Sequence, residues 1–268
     1  MTIGEFLAKS TASLQSAGVD TARLDTLVLL CDALDCDKAY ILAHTDQNLS
    51  HDQLQPLETH VATRSRHIPL AYIRGHAMFY GRSFVVSSDV LVPRPETETI
   101  IELLMQQRLP ERPRIADIGT GSGCIGITIA LELPASTVDL YDISSKALEV
   151  AQKNSVELHA PIRTFTSNLL TGLQDAYDVI VTNLPYVPDA YPINEAARQE
   201  PPLALFSGID GLDHYRAFWK QLDGLELKPS TIITESLPSQ HHALASVARI
   251  HGYVLEETKD FIQLFVRA

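Results

Sequence analysis

Two short stretches hold the residues of this 268-residue chain that could do chemistry. The first is Asp117-Ile118-Gly119-Thr120-Gly121-Ser122-Gly123, set between a short apolar run and a helical pattern. Glycines at such a turn let the backbone come close to a ligand, and the helix start behind them offers free N–H groups. Gly121, Gly123 and Gly126 also satisfy G-x-G-x-x-G, and Asp142 follows about 20 residues on, the spacing of a ribose-binding carboxylate. Ser144 is better placed than Asp142 to cap the next helix. Turn and carboxylate together predict a nucleoside cofactor. They do not choose between a nicotinamide dinucleotide and S-adenosylmethionine.

The second stretch is Asn183-Leu184-Pro185-Tyr186, directly after the apolar run Asp178 to Thr182. An asparagine side-chain oxygen and a neighbouring backbone carbonyl can both accept from one NH2 group. Pro185 stiffens the loop and keeps Leu184 out of the helical region, and Tyr186 can stack on a planar amide or base. An amide nitrogen is a poor nucleophile because its lone pair is delocalised; the same resonance sets the roughly 18–20 kcal/mol barrier to peptide rotation. An enzyme that alkylates it must hold the NH2 group and aim the lone pair at the acceptor orbital. No metal-ligand cluster and no nucleophile–base pair stands near the tetrad in sequence, which predicts a single in-line displacement with metal: none.

The elements that must position these residues follow from the hydrophobic pattern. From Arg114 onward strands and helices alternate. Strands are predicted at 115–118, 137–141, 162–165, 179–182, 231–234, near Tyr253 and at 261–266, with helices at 122–132 and 145–158. The fold class is α/β: a mainly parallel, Rossmann-like sheet with ligands at the carboxyl ends of its strands. Residues 1–72 read as a small helical domain. Thr2 with Glu5 forms a capping box, Asp20 caps a second helix with Leu24, Leu27, Val28, Leu30 and Cys31 on its apolar face, and Ser50 opens a third running through Arg64 and Arg66 to His67. Residues 73–92 read as a β-hairpin linker, and 93–268 as the catalytic domain.

Bulk properties narrow the classes. The formal net charge is -12, which disfavours a grip on a nucleic-acid backbone and favours a protein or small-molecule substrate. No run approaches a membrane span, the N-terminus has no signal-like apolar core, and the three cysteines show no zinc spacing, so a reducing, cytoplasmic setting is expected.

Several motifs together carry a resemblance. Asp117 to Gly123 resembles the first motif of class I methyltransferases, which implies S-adenosylmethionine, with Asp117 orienting its cationic methionine end. The helical N-terminal region, Val92-Pro93-Arg94-Pro95-Glu96-Thr97-Glu98, the glycine turn, the tetrad and Glu200-Pro201-Pro202-Leu203-Ala204-Leu205 together resemble the peptide chain release factor N5-glutamine methyltransferases over nearly the whole chain. That resemblance implies methyl transfer to the glutamine of a release factor's Gly-Gly-Gln loop, with the N-terminal helices docking the factor. It assigns Gly119, Thr120, Gly121, Ser122, Gly123, Asp142, Asn168, Leu169 and Asn183 to the cofactor and the tetrad to the substrate, while Arg94 and Glu96 are expected to shape the cleft, closing over the cofactor or meeting the substrate protein. The chain departs from the family pattern in three places. Leu184 replaces the first proline of Asn-Pro-Pro-Tyr, Asn168 stands where an aspartate is usual, and the late strand end reads Glu235-Ser236-Leu237. The C-terminal edge is given no catalytic role on this reading. The spelling Asn-Leu-Pro-Tyr also resembles the ribosomal RNA adenine dimethyltransferases, the main alternative. An NAD-dependent oxidoreductase and a non-catalytic binding module are the weaker ones.

Overall fold

The computed structural model describes residues 1–268, which divide into two compact units: Met1–Gly75 with Asn194–Gln199, and His76–Ile193 with Glu200–Ala268.

The first unit is helical: α1 (Ile3–Ser16), α2 (Ala22–Leu34), α3 (Lys38–Ala43), α4 (His51–Arg64) and α5 (Leu70–Arg74). The expected capping box of Thr2 with Glu5 forms, and Ser50, expected to open a helix, caps α4 in a second box with Gln53. The short α3, capped by Asp37, and α5 lacked enough periodic residues to be read in sequence. Asp20 caps nothing; α2 begins after Thr21, whose hydroxyl donates to Asp25. The apolar face expected on α2 is also rotated. Leu24 is exposed, while Ala22, Asp25, Thr26 and Leu29 are buried beside Leu27 and Leu30. The reason is a buried ion pair: Arg64 Nε lies 2.7 Å from Asp25, so the face carries a charge that an apolar count passes over.

The second unit opens with the hairpin β1 (His76–Phe79) and β2 (Arg82–Val85), joined through Tyr80 and Gly81 with φ of 49° and 73°, the left-handed pair that matches the twist of a two-residue turn. A 3₁₀ turn over Pro95–Thr97 leads into α6 (Glu98–Met105). Then come β3 (Arg114–Ile118), α7 (Cys124–Glu132), β4 (Thr137–Asp142), α8 (Ser145–Glu157), β5 (Ile162–Thr166), β6 (Val179–Thr182), α9 (Asp213–Leu222), β7 (Thr231–Glu235), α10 (His241–Ile250), β8 (Tyr253–Lys259) and β9 (Ile262–Arg267). The sheet order is β5-β4-β3-β6-β7-β9-β8. The first five strands are parallel, and β9 runs antiparallel to β7 and β8. β6 and β7 are buried along their whole length, as a strand covered on both faces requires. Helices α6 and α7 pack with one core cluster; α9 and α10 pack with the other, α9 through Tyr215, Phe218, Trp219 and Leu222 at helical spacing. No helix is long and apolar enough to cross a membrane.

Two features of this fold bear on the site. The order reverses around β3, so a crevice opens where the carboxyl ends of β4, β3 and β6 meet. Asn154 of α8 pins the hairpin and the glycine turn together, its amide bonding both backbone atoms of Val85 and the carbonyl of Ser122.

Candidate active site

The crevice is a single cleft within the second unit, walled by the ends of β3, β4, β5 and β6, by residues 89–94 and by 201–204. At the end of β3 the chain turns through Gly119, Gly121 and Gly123 with φ of 73°, 55° and 82°. The positive φ values delay α7 to Cys124, two residues later than the pattern predicted. The N–H groups of Gly119 and Thr120 both donate to the Tyr141 carbonyl, fastening the turn to β4. Gly121 N–H donates to one Asp142 oxygen at 2.9 Å and Ser144 N–H to the other at 2.9 Å. Ser144 itself caps α8, as expected. Asp142 therefore stands fixed at the cleft wall, each oxygen keeping a lone pair for a ligand hydroxyl. Burial raises its pKa.

Gly119, Thr120, Gly121, Ser122, Asp142, Asn168, Leu169, Asn183, Leu184, Pro185 and Arg94 all reach the wall. Four expected site residues do not. Asp117 is wholly buried behind the turn, with Thr120 Oγ1 and Gly126 N–H donating to Oδ2. Its Oδ1 has no partner, and burial pushes its pKa up to about 6. Gly123 is not on the wall because it packs inward: a Cβ there would come within 2.8 Å of Ile127 and 3.1 Å of Ala151. Tyr186 packs against the cluster that holds Tyr215 and gives its hydroxyl to Glu235 at 2.9 Å. Glu96 is exposed and off the wall, and the partner of Arg94 is Glu200, at 2.5 Å, whose other oxygen accepts from Val92 N–H.

The tetrad is held by residues that sequence reasoning passed over. Glu235, at the carboxyl end of β7 and buried, accepts from the Thr97 hydroxyl at 2.7 Å and from Tyr186. The Asn183 amide also helps hold this carboxylate. Thr97 spends its only proton on Glu235, so it accepts from Asn183 Nδ2, 3.3 Å away. Carboxylate and hydroxyl oxygen both face the Asn183 NH2 group, which directs Oδ1 the other way. The absence of a role for the C-terminal edge is thereby corrected. Glu235 lies on the strand beside the tetrad's strand, and the rule that ligands gather at strand ends was the signal available for it.

Among the tetrad's backbone carbonyls, that of Tyr186 is taken by Gln240 Nε2 at 2.8 Å, while that of Leu184, just before Pro185, receives no hydrogen bond from the protein. The Leu184 side chain is buried and covers the glycine turn, its Cδ2 3.1 Å from where a Cβ on Gly119 would stand. The site thus offers an acceptor pair, Asn183 Oδ1 and Leu184 O, beside a Cβ-free cradle with a fixed carboxylate.

Comparisons with known proteins bear on the fold and the family. Residues 5–75 match the family model of the PrmC N-terminal domain and residues 95–199 that of the methyltransferase small domain. The chain is 38% identical over 220 residues to the release factor glutamine methyltransferase of Koribacter versatilis, covering 80% of this chain and 78% of the relative. To the protein of the same name from Bacillus anthracis it is 34% identical over 245 residues, 88% and 86% of the two chains. Among solved structures, the human Mettl16 catalytic domain in complex with an RNA hairpin aligns with a TM-score of 0.53 at 15% identity, covering 80% and 81% of the chains. The ribosomal protein L11 methylase of Lactobacillus delbrueckii aligns with a TM-score of 0.50 at 18% identity, covering 68% and 83%. At those identities the likeness speaks to the fold, that of a class I methyltransferase. The match to the named relatives extends over most of both chains, and the chain belongs to the release factor glutamine methyltransferase family.

Proposed function

We propose that the protein transfers a methyl group from S-adenosylmethionine to the side-chain amide nitrogen of the glutamine in the Gly-Gly-Gln loop of peptide chain release factors, in the cytoplasm where those factors work. The observation that carries this reading is the Asn183 side chain, its NH2 group held by Thr97 so that Oδ1 is left to accept, with the unpaired Leu184 carbonyl next in the chain and the glycine cradle on the same cleft. The donor fits the residues present: a Cβ-free turn at Gly121, a carboxylate at Asp142 suited to ribose hydroxyls, and an unpaired buried oxygen on Asp117 that favours a cationic group nearby.

When bound, S-adenosylmethionine supplies an electrophilic methyl on a sulfonium. Everything else is positioning by this chain. Asn183 Oδ1 and Leu184 O accept the two N–H groups of the glutamine amide and draw its nitrogen lone pair toward the cleft. Glu235 and Thr97 keep Asn183 from turning over. The nitrogen becomes acidic only once it has gained the methyl, so its proton leaves to water and no strong base is required. Leu184 meets the requirement through its carbonyl, and its buried side chain gives the rigidity a proline would have supplied.

Two variants separate cofactor from substrate. Asp142→Ala is expected to weaken S-adenosylhomocysteine by about 10- to 100-fold, the loss of charge-assisted bonds to hydroxyls, measured by calorimetry. Gly121→Val places its side chain in open space at the cleft wall and is expected to block binding at the cost of several degrees in melting temperature, since a β-branched residue in the left-handed region costs roughly 1–3 kcal/mol. Unchanged cofactor affinity in either variant removes that residue from the cofactor site.

The substrate is tested with radiolabelled S-adenosylmethionine offered in parallel to a release factor, to its Gln-to-Ala loop variant and to ribosomal RNA. Label on the wild-type factor alone is expected. Label on the RNA alone would overturn the reading in favour of the adenine chemistry that the spelling Asn-Leu-Pro-Tyr also suits.

A further inference from the structure

His214, the second residue of α9, lies on the cleft wall, yet neither the motifs nor the mechanism above use it. Its ring is fixed by one partner. Ser207 Oγ accepts the His214 backbone N–H at 2.9 Å and stands 2.7 Å from His214 Nδ1. A hydroxyl with one proton that already accepts there satisfies itself by donating to Nδ1. The opposite tautomer would send two donors to Ser207 Oγ and leave the hydroxyl proton with nowhere to go. The ring proton therefore sits on Nε2, the edge away from Ser207, and no protein group accepts it. Partial burial lowers the pKa, so the ring stays neutral at physiological pH.

The place of this donor in the cleft indicates what it meets. Asp142, at the end of β4, is the ribose carboxylate, and β5 is the next strand outward. Next to Asp142 the cleft is lined by Ile143 and by the segment 167–169 that follows β5, where the base of a nucleoside held by Asp142 would find room. α9 packs along that same segment: Gln221, two turns after His214 on the same face, accepts from Leu170 N–H at 2.8 Å, and Leu169 packs on the cluster that holds Tyr215 and Phe218. Ser167 Oγ donates to Leu169 O and holds Leu169 at φ 54°, a left-handed conformation that a leucine adopts only when its surroundings impose it. Asn168 stands exposed on the same wall, whereas the His214 ring is held in place by Ser207.

We propose that His214 is a specificity residue of the cofactor pocket, donating from Nε2–H to a ring nitrogen of the adenine, with Ser207 as the residue that sets its tautomer. The inference rests on the S-adenosylmethionine reading above. It assigns the recognition of the base to α9, where no cofactor motif lies.

The test is the affinity of S-adenosylhomocysteine for the wild type, His214→Phe and His214→Gln, with KM for a release factor measured alongside. Glutamine can take the Ser207 proton on its oxygen and still donate. The expected result is about tenfold weaker binding for phenylalanine, the value of one hydrogen bond, near wild-type binding for glutamine, and release factor KM within about twofold throughout. Wild-type affinity in His214→Phe would overturn the proposal, and a raised release factor KM in that variant would move the donor to a polypeptide carbonyl. Failure of the wild-type protein itself to bind S-adenosylhomocysteine would instead overturn the donor assignment. Should the phenylalanine variant not fold, ¹⁵N imidazole shifts of the wild type decide: a proton on Nε2 supports the proposal, and a proton on Nδ1 overturns it.

Discussion

Asn183→Ala is expected to lower kcat by about 100- to 1,000-fold while the affinity for S-adenosylhomocysteine changes by less than about threefold, the range seen when one preorganised polar group is removed from an active site. The argument is geometric. Asn183 sits one residue past β6, its NH2 group turned toward Thr97 and Glu235 and its Oδ1 turned away from them. Removing it leaves one acceptor, the Leu184 carbonyl, which cannot fix the direction of an amide lone pair by itself. The glycine turn, Asp142 and Ser144 keep their own bonds, so the cofactor side is left intact. Single-turnover rates and calorimetry on the same preparation separate the two quantities. Equal losses in both would mean that Asn183 supports the cofactor and not the acceptor amide.

Glu235→Gln is expected to lower kcat by at least about tenfold with little change in stability at neutral pH. As a carboxylate, Glu235 accepts from Thr97, Tyr186 and Asn183. A glutamine must point its NH2 group at one of them. If Thr97 becomes the acceptor of that group, its proton turns to Asn183, which then presents Oδ1 inward and NH2 to the substrate. Two NH2 groups facing each other hold nothing. Stability follows a different balance. Burial is the main cause of the raised pKa of Glu235, ahead of the hydrogen bonds that lower it. A folded pKa above the unfolded one means that the cost of the charge is absent at acid pH, below the ordinary carboxylate range, and grows as pH rises through the folded value. At neutral pH the wild type bears that cost and the glutamine variant does not, which offsets the mismatched NH2 group, so its melting temperature should stay close to the wild-type value. The wild-type kcat should also fall on the acid side as Glu235 takes up a proton, and that limb should vanish in the variant. A melting temperature that drops together with kcat would make Glu235 a packing residue.

The parts of the site visible in the sequence were those whose chemistry is local. Gly119, Gly121, Asp142 and Asn183 announce themselves by type and by their place at strand ends, and all four reach the cleft wall. The capping of α8 by Ser144 was legible for the same reason. What the sequence hid is set by packing across long separations. Thr97 and Glu235 lie 138 positions apart and meet only because α6 and β7 are brought together in the fold. Arg94 finds its carboxylate partner in Glu200, 106 positions away. In the N-terminal unit, the rotated face of α2 has the same origin, since the burial of Asp25 depends on Arg64, 39 residues on. Tyr186 shows the same split: its type suggested stacking on the substrate amide, and the bond of its hydroxyl to Glu235, 49 positions away, was not legible locally. Local pattern identifies groups that could react, whereas the groups that aim them are chosen by topology.

The most direct test of the central claim is tandem mass spectrometry of a release factor after incubation with the protein and S-adenosylmethionine. The account predicts a single methyl increment on the side chain of the Gly-Gly-Gln loop glutamine, absent when Asn183→Ala replaces the wild type. A methyl found on any other residue, or an unmodified factor beside methylated adenine in RNA, would contradict it.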